Sequence, residues 1–239
     1  MTAIGPSVPD SQRTQVIGDL LVDVRAVCFD LGGTLVKIRS NPTTGLIAAR
    51  LDISLDEARC RVERKAKRQR HNPADLARTL VDDFGRPELF SVIEQLLTTA
   101  QRSSQRPPLY PDVVTTLHAL RRRGYQVYAL SNALGSSAPP EPPVFHRLFD
   151  AVVTSYDTGW CKPELEAFNS VRSRTNLEPH QFLHVGDSLR ADVNGALAAG
   201  WRAALLRRPG APRSASELPL GVPQLRSLPM LLPLLPAIP

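Results

Sequence analysis

Four short stretches of this chain carry side chains that could act together on a charged substrate. The first is Phe29-Asp30-Leu31-Gly32-Gly33-Thr34-Leu35, with Asp30 directly after an apolar run and Thr34 inside a glycine turn. The second is Leu130-Ser131-Asn132 and the third is Cys161-Lys162-Pro163. The fourth runs from Val185 through Gly186 and Asp187 to Asp192. Three carboxylates gathered at one point repel each other. A hard divalent cation offsets that repulsion, and Mg2+ favours one or two carboxylates, waters and a substrate phosphate. Lys162 and Ser131 supply donors suited to a phosphate oxygen. A carboxylate beside such a cation and such donors can act as a nucleophile and form an aspartyl-phosphate. The chemistry implied is metal-assisted phosphoryl transfer.

Each stretch alone has a plainer role. Asp30 with Gly32 and Gly33 makes an ordinary turn. Ser131-Asn132 suits a turn or a helix N-cap. Lys162 alone reads as a solvated lysine before a proline that opens a helix. Asp187 or Ser188 can cap a helix whose dipole Asp192 complements. The functional reading needs the four to meet.

The elements that would bring them together are legible in the pattern. Val24–Asp30 is a short, nearly continuous apolar run, as expected of a buried parallel strand. From Asn41 to about Arg106 strand signals vanish and helical spacing dominates. Ser54 to Glu57 has the form of a capping box. Asn72-Pro73 places an N-cap before a proline at the first helical position. Leu76, Leu80 and Val81, then Leu89, Val92, Ile93, Leu96 and Leu97, form apolar stripes. The segment reads as about four helices, closed by Pro107-Pro108.

Beyond Pro111 helix and strand alternate. Val113, Val114, Leu117 and Leu120 mark a helix ending in Arg121–Gly124. Strands are expected over Tyr125–Leu130, Ala151–Ser155, Phe182–Asp187 and Trp201–Leu206. Helices are expected over Glu164–Thr175 and Leu189–Ala199, with a stiff loop at Ser137–Pro143. An edge strand near Val222–Leu225 and a short final helix follow. Such alternation implies an α/β fold, a parallel sheet with helices on both faces. In such sheets ligands sit at the carboxyl ends of the strands, where Asp30, Ser131 and Asp187 fall.

Together the four stretches resemble the haloacid dehalogenase-like hydrolase superfamily, in the right order over about residues 24–206. The resemblance implies a Rossmann-like core from residues 24–40 and 107–239, after a lead-in over 1–23. It implies a helical C1 cap over 41–106. It makes Asp30 the nucleophile and gives Ser131 and Lys162 the transferring group, with Lys162 also shielding Asp30. Asp187 would ligate Mg2+ with Asp30 and the backbone carbonyl of Gly32, and Asp192 would hold the metal's waters. Thr34 and Asn132 complete the expected substrate-binding set.

One departure stands out. Phosphatases of the family usually carry Asp two residues after the nucleophile as general acid/base, and here that residue is Gly32. General acid–base groups typically contribute about 10²–10⁴-fold. The resemblance therefore implies a Mg2+-dependent phosphatase on a small phosphorylated metabolite. Its alternatives are a metal-independent dehalogenase-like hydrolase and a degenerate interaction protein.

Composition excludes several other classes. With 239 residues and 42 % hydrophobic content the chain can bury a real core. No apolar stretch approaches the roughly 20 residues of a membrane helix. The opening MTAIGPSVPDSQRTQ lacks a basic start and an apolar stretch, so no secretory signal is expected. Three widely spaced cysteines without metal-binding spacing suggest a reducing, cytoplasmic setting. The net charge of +6 suits anionic substrates. The run Arg59–Arg70 holds seven basic residues and reads as a solvated helix face. No aromatic residue interleaves it, which argues against nucleic acid. Tyr156 and Trp160 flank the Lys162 loop, as packing or as an entrance. His184, inside a strand, is expected to be a satisfied core or near-site histidine.

Overall fold

The structure is a computed structural model that describes residues 20–38, 43–139, 141–210 and 218–238. Most of the expected lead-in, residues 1–19, lies outside the described residues, as does Pro140 of the proline-rich loop.

Among the described residues one sheet of six parallel strands forms the centre. They are β1 (Ala26–Phe29), β2 (Gln126–Ser131), β3 (Ala151–Thr154), β4 (Phe182–Gly186), β5 (Arg202–Leu206) and β6 (Gln224–Leu225). Their spatial order is β3-β2-β1-β4-β5-β6. The chain thus moves outward from β1 in one direction, then restarts on its other side with β4. The reversal opens a crevice at the carboxyl ends of the strands beside β1.

Strand alternation sorts the core. Val27 and Phe29 of β1 and Leu183 and Val185 of β4 face one cluster. Ala26, Cys28 and Phe182 face the other. The first face is covered by α5 (Val113–Arg122) and by a final 3-10 turn over Leu228–Leu234. The second is covered by α7 (Leu165–Arg172) and α8 (Gly195–Ala198). There Trp201 stacks on Phe182 with ring centres 4.3 Å apart. With a period of two, Asp30 continues the Ala26–Cys28 side of β1, which is also the side of His184.

Residues 43–105 form four helices with an apolar cluster of their own. They are α1 (Thr43–Leu51), α2 (Leu55–Ala66), α3 (Pro73–Asp83) and α4 (Phe90–Gln105). The Asn72 side chain accepts from the Ala74 N–H at 2.9 Å, with Pro73 opening α3. The capping box at α2 is half made. The Ser54 hydroxyl accepts from the Glu57 N–H at 3.1 Å, but the Glu57 carboxylate pairs with Arg61 at 2.9 Å. In the apolar stripes Ile93, Leu97, Val113 and Leu117 are buried, whereas Val92 and Val114 are exposed. The spacing of a helix face does not distinguish its flank from its centre.

Three elements differ from the expectation. The helix expected over Leu189–Ala199 begins as a π-turn (Leu189–Asn194) and becomes α-helical only from Gly195. The helix expected to Thr175 ends at Arg172. A short helix, α6 (Ser155–Thr158), follows β3 directly.

Candidate active site

The chain leaves β1 at Asp30, whose N–H still donates to the Val185 carbonyl at 2.9 Å. The next residues fold back on themselves: the N–H groups of Leu35 and Val36 both donate to the Leu31 carbonyl. Gly33 in this turn has φ of 79°. A Cβ there would meet Asp187 Oδ2 at 2.2 Å, so only glycine lets the turn approach that carboxylate. Gly186 serves Asp192 in the same way, because a Cβ would meet the Asp192 Cγ at 2.2 Å. The glycines of both motifs are thus required by the carboxylates they border.

Asp30, Asp187 and Asp192 offer oxygens that lie within 4.8 Å of one another. Lys162 enters from the loop between α6 and α7. Its Nζ donates to Asp30 Oδ1 at 2.7 Å and to Asp192 Oδ1 at 2.6 Å. Asn132 holds that loop by two bonds: its amide nitrogen donates to the Lys162 carbonyl and its oxygen accepts from the Lys162 N–H, both at 2.8 Å.

Asp192 is saturated. Besides Lys162, its Oδ1 accepts from His184 Nε2 at 3.0 Å and its Oδ2 from the Ser188 N–H at 2.9 Å. The π-turn delivers this carboxylate inward, with the Ser188 hydroxyl accepting from the Ala191 N–H at 3.1 Å. Asp187 differs: among the described residues no side chain hydrogen-bonds to its carboxylate.

The electrostatics follow this partition. Burial pushes Asp30 up to about 7, with Lys162 acting against the rise and Asp192 adding to it. Burial also pushes Asp187 up to about 6, reinforced by the charge of Asp192. For Asp192 burial acts upward too, but Lys162 and then the His184 hydrogen bond outweigh it and hold the group well below the usual carboxylate range. Burial opposes the charge of Lys162, yet Asp192 and Asp30 keep its ammonium above the ordinary lysine value. Burial lowers His184, so its imidazole is neutral and donates through Nε2.

Asp30, buried, and Asp187, half-buried, therefore stand as a pair whose charge is incompletely answered. A hard cation fits that donor set, two carboxylates with oxygens within 4.8 Å beside a turn carrying the Gly32 carbonyl. Asp192, engaged on both oxygens, anchors Lys162 and the turn.

A cavity of about 330 Å³ opens over these groups. Asp30, Gly32, Ser131, Asn132, Lys162, Asp187 and Asp192 all line it. Of the expected residues only Thr34 does not. It is buried in the turn, with its hydroxyl unpartnered among the described residues and its carbonyl accepting from Arg208 at 2.8 Å. Tyr156 and Trp160 also stay off the wall.

Sequence reasoning missed two contributors, Arg208 and Lys67, and expected a third, His184, only as a core or near-site histidine. Arg208 ties the Thr34 carbonyl to Asp112, with 2.6 Å to the carboxylate. His184 meets Asp192, although only its strand position marked it as near-site. Lys67 lines the cavity from within the basic run. That run is not simply a solvated face. Arg68 donates to the Gly159 carbonyl at 2.8 Å and to Glu164 at 2.5 Å, and Arg70 to Asp157 at 2.7 Å. Long-range charge pairing of this kind leaves no local pattern in a sequence.

Comparison with known proteins agrees with this fold. Residues 24–200 match the family model of the haloacid dehalogenase-like hydrolases. A glyceraldehyde 3-phosphate phosphatase of Methanopyrus kandleri is 27 % identical over 201 residues, covering 77 % of this chain and 84 % of that protein. A phosphoglycolate phosphatase of Salmonella typhimurium is 29 % identical over 204 residues, covering 76 % and 81 %. Among solved structures, a haloacid dehalogenase-type phosphatase of Thermococcus onnurineus superposes with a TM-score of 0.53 at 25 % identity, over 87 % of this chain and 96 % of that one. The match over residues 24–200, on a parallel α/β sheet, places this chain in the haloacid dehalogenase-like hydrolase family as a hydrolytic enzyme.

Proposed function

We propose that the protein is a Mg2+-dependent phosphatase that hydrolyses a small phosphomonoester through an aspartyl-phosphate on Asp30. The observation that carries this reading is the meeting of Asp30, Asp187 and Lys162 at one cavity wall, with Asp192 holding the lysine in place. The phosphatase names of the relatives support it.

Asp30 and Asp187, with the Gly32 carbonyl, would hold Mg2+. Bound there, the cation supplies Lewis-acid polarisation of the phosphoryl oxygens. Everything else falls to the chain. Asp30 must be ionised to attack, and a value near 7 leaves it half protonated at neutrality without further positive charge. Its carboxylate oxygen forms a bond to phosphorus as the ester P–O bond breaks, and the leaving oxygen takes a proton. Lys162 neutralises charge on Asp30 and on the equatorial phosphoryl oxygens, and Ser131 adds a hydroxyl donor. Water then attacks phosphorus, releasing inorganic phosphate and regenerating the Asp30 carboxylate. With Gly32 at the usual acid position, the departing oxygen draws its proton from substrate or water, or leaves as a stable anion.

In this reading residues 41–106 act as a cap over a core formed by 24–40 and 107–239, excluding water and selecting substrate. The cavity volume suits a small metabolite. Among the described residues no helix is long and apolar enough to cross a membrane. The three free cysteines fit a reducing cytoplasm.

The test is a panel of metabolite phosphates and an aryl phosphate, assayed with Mg2+ and with EDTA. Phosphate release that needs Mg2+ supports the reading. Release of halide from a haloacid, unaffected by EDTA, would replace it with a dehalogenase, in which Asp30 attacks carbon. No turnover of any substrate would leave a binding protein.

A further inference from the structure

The cavity's second cation comes from outside the α/β body. Among the described residues lining the cavity, only Lys162 and Lys67 carry positive charge. Lys162 is committed to Asp30 and Asp192. Lys67 directly follows α2, whose last residue, Ala66, is buried in the helical cluster.

The segment after Lys67 is pinned to the body. Arg68 holds the Gly159 carbonyl and Glu164. Arg70 holds Asp157 and lies 5.0 Å from the centre of the Tyr156 ring. Glu164 in turn accepts from the Cys161 N–H at 2.8 Å through its other oxygen, so the segment is tied to the loop that bears Lys162. On its other side the backbone passes against Gly135. A Cβ there would come within 1.7 Å of the Gln69 carbonyl oxygen, so this close approach requires glycine. A lysine leading into a segment fixed at three points is a placed charge.

We propose that Lys67 is a specificity-determining residue that binds a second anionic group, a carboxylate or another phosphate, on the phosphomonoester. The inference rests on the phosphatase reading above and names its substrate class. The reacting phosphoryl group faces Lys162 and the acidic cluster. A substrate's remote anion, in a cavity this small, falls within reach of the charge on the neighbouring segment. A lysine suits either anion, because it acts as a point charge on a flexible stem.

Three matched esters test this: phosphoglycolate, ethylene glycol monophosphate and ethylene glycol bisphosphate. The first and third add an anion to the second. Each is assayed with Mg2+ on the wild type, Lys67→Gln and Lys67→Arg. We expect Lys67→Gln to raise KM for one or both doubly anionic esters by about 10- to 100-fold, the range of a charged hydrogen bond. Ethylene glycol monophosphate should change by less than about threefold, and Lys67→Arg should restore most of the difference. Which ester responds identifies the anion. Calorimetric binding of phosphonoacetate should weaken in parallel, while that of ethylphosphonate holds. Equal effects on charged and uncharged esters, or none, would overturn the role of Lys67 and leave the phosphatase reading intact. A wild type that turns over phosphate esters in no case would overturn that reading, and the substrate class with it.

Discussion

At the strand ends, Lys162 is surrounded by fixed partners: Asp30, Asp192 and, through its backbone, Asn132. Across the boundary with the helical segment, Lys67 is placed instead by what its neighbours Arg68 and Arg70 grip on the body. The first region is built from buried charges gathered over the end of one sheet, where removing a partner leaves another uncompensated. The second is built from half-exposed pairs between two apolar clusters, each individually weak. The difference separates chemistry, which needs rigid preorganised charge, from substrate choice, which can be retuned without disturbing it.

The largest expected effect comes from Asp30→Asn, which removes the proposed nucleophile of the rigid region. Phosphatase activity should fall by roughly 10⁴-fold or more, in steady-state assays, with little change in the far-ultraviolet circular dichroism. Wild-type-like turnover would place the chemistry elsewhere.

Gly32→Asp probes the missing acid. A Cβ at Gly32 meets nothing closer than Ile38 Cδ1 at 3.7 Å, so the backbone there admits a Cβ. Turnover of an alkyl phosphate should rise, by up to about 10²-fold. An aryl phosphate, whose leaving group needs no proton, should gain far less. Equal gains on both would sink this account of Gly32.

Lys162→Met should cost about 3–5 kcal/mol of stability at pH 8, because it strands Asp30 and Asp192 in a buried site. Urea melts measure this. A loss below about 1 kcal/mol would mean the pair is better hydrated than the geometry implies.

The pH dependence of the metal-free protein is a gentler probe. Asp30 near 7 and Asp187 near 6 lie above the ordinary value of 3.8. Between those values the folded state keeps protons that the unfolded chain has lost. The contribution of these two groups to stability should therefore fall as pH rises from about 4 to 7, against an opposite contribution from His184 and His146, which burial lowers. Denaturation in EDTA at pH 5 and pH 8 reads the slope, and added Mg2+ should flatten it. Replacing Asp30 by Asn should make the slope more positive; a slope left unchanged by Asp30→Asn would show that burial does not govern this carboxylate.

The smallest effect belongs to the helical boundary. Arg70→Ala removes a half-exposed pair with Asp157 and should cost under about 1 kcal/mol. Its signature should be a raised KM with kcat nearly unchanged.

The same contrast explains what the sequence made legible. β1, β2, β4 and β5 were readable because buried parallel strands are short apolar runs between turns. Asp30, Ser131 and Asp187 were readable because they fall at strand ends, and Lys162 because the Cys161-Lys162-Pro163 stretch completes the set of motifs. Gly33 and Gly186 have their reason in contacts with distant carboxylates, which the motif records but does not explain. The π-turn at Leu189–Asn194 was not legible, since its apolar spacing resembles that of an α-helix over one turn. Lys67, Arg68 and Arg70 were hidden for a different reason. The partners of Arg68 and Arg70 lie about ninety residues away, and a basic run carries no mark of where each side chain ends.

The central claim, that Asp30 forms a covalent bond to phosphorus, is tested most directly by acid-quenching the enzyme during turnover with Mg2+ and mapping its peptides by mass spectrometry. The account predicts one phosphoryl group on the peptide containing Asp30, absent in Asp30→Asn and absent when EDTA replaces Mg2+. Steady turnover with that peptide unmodified, or with the phosphoryl group on another residue, would contradict it.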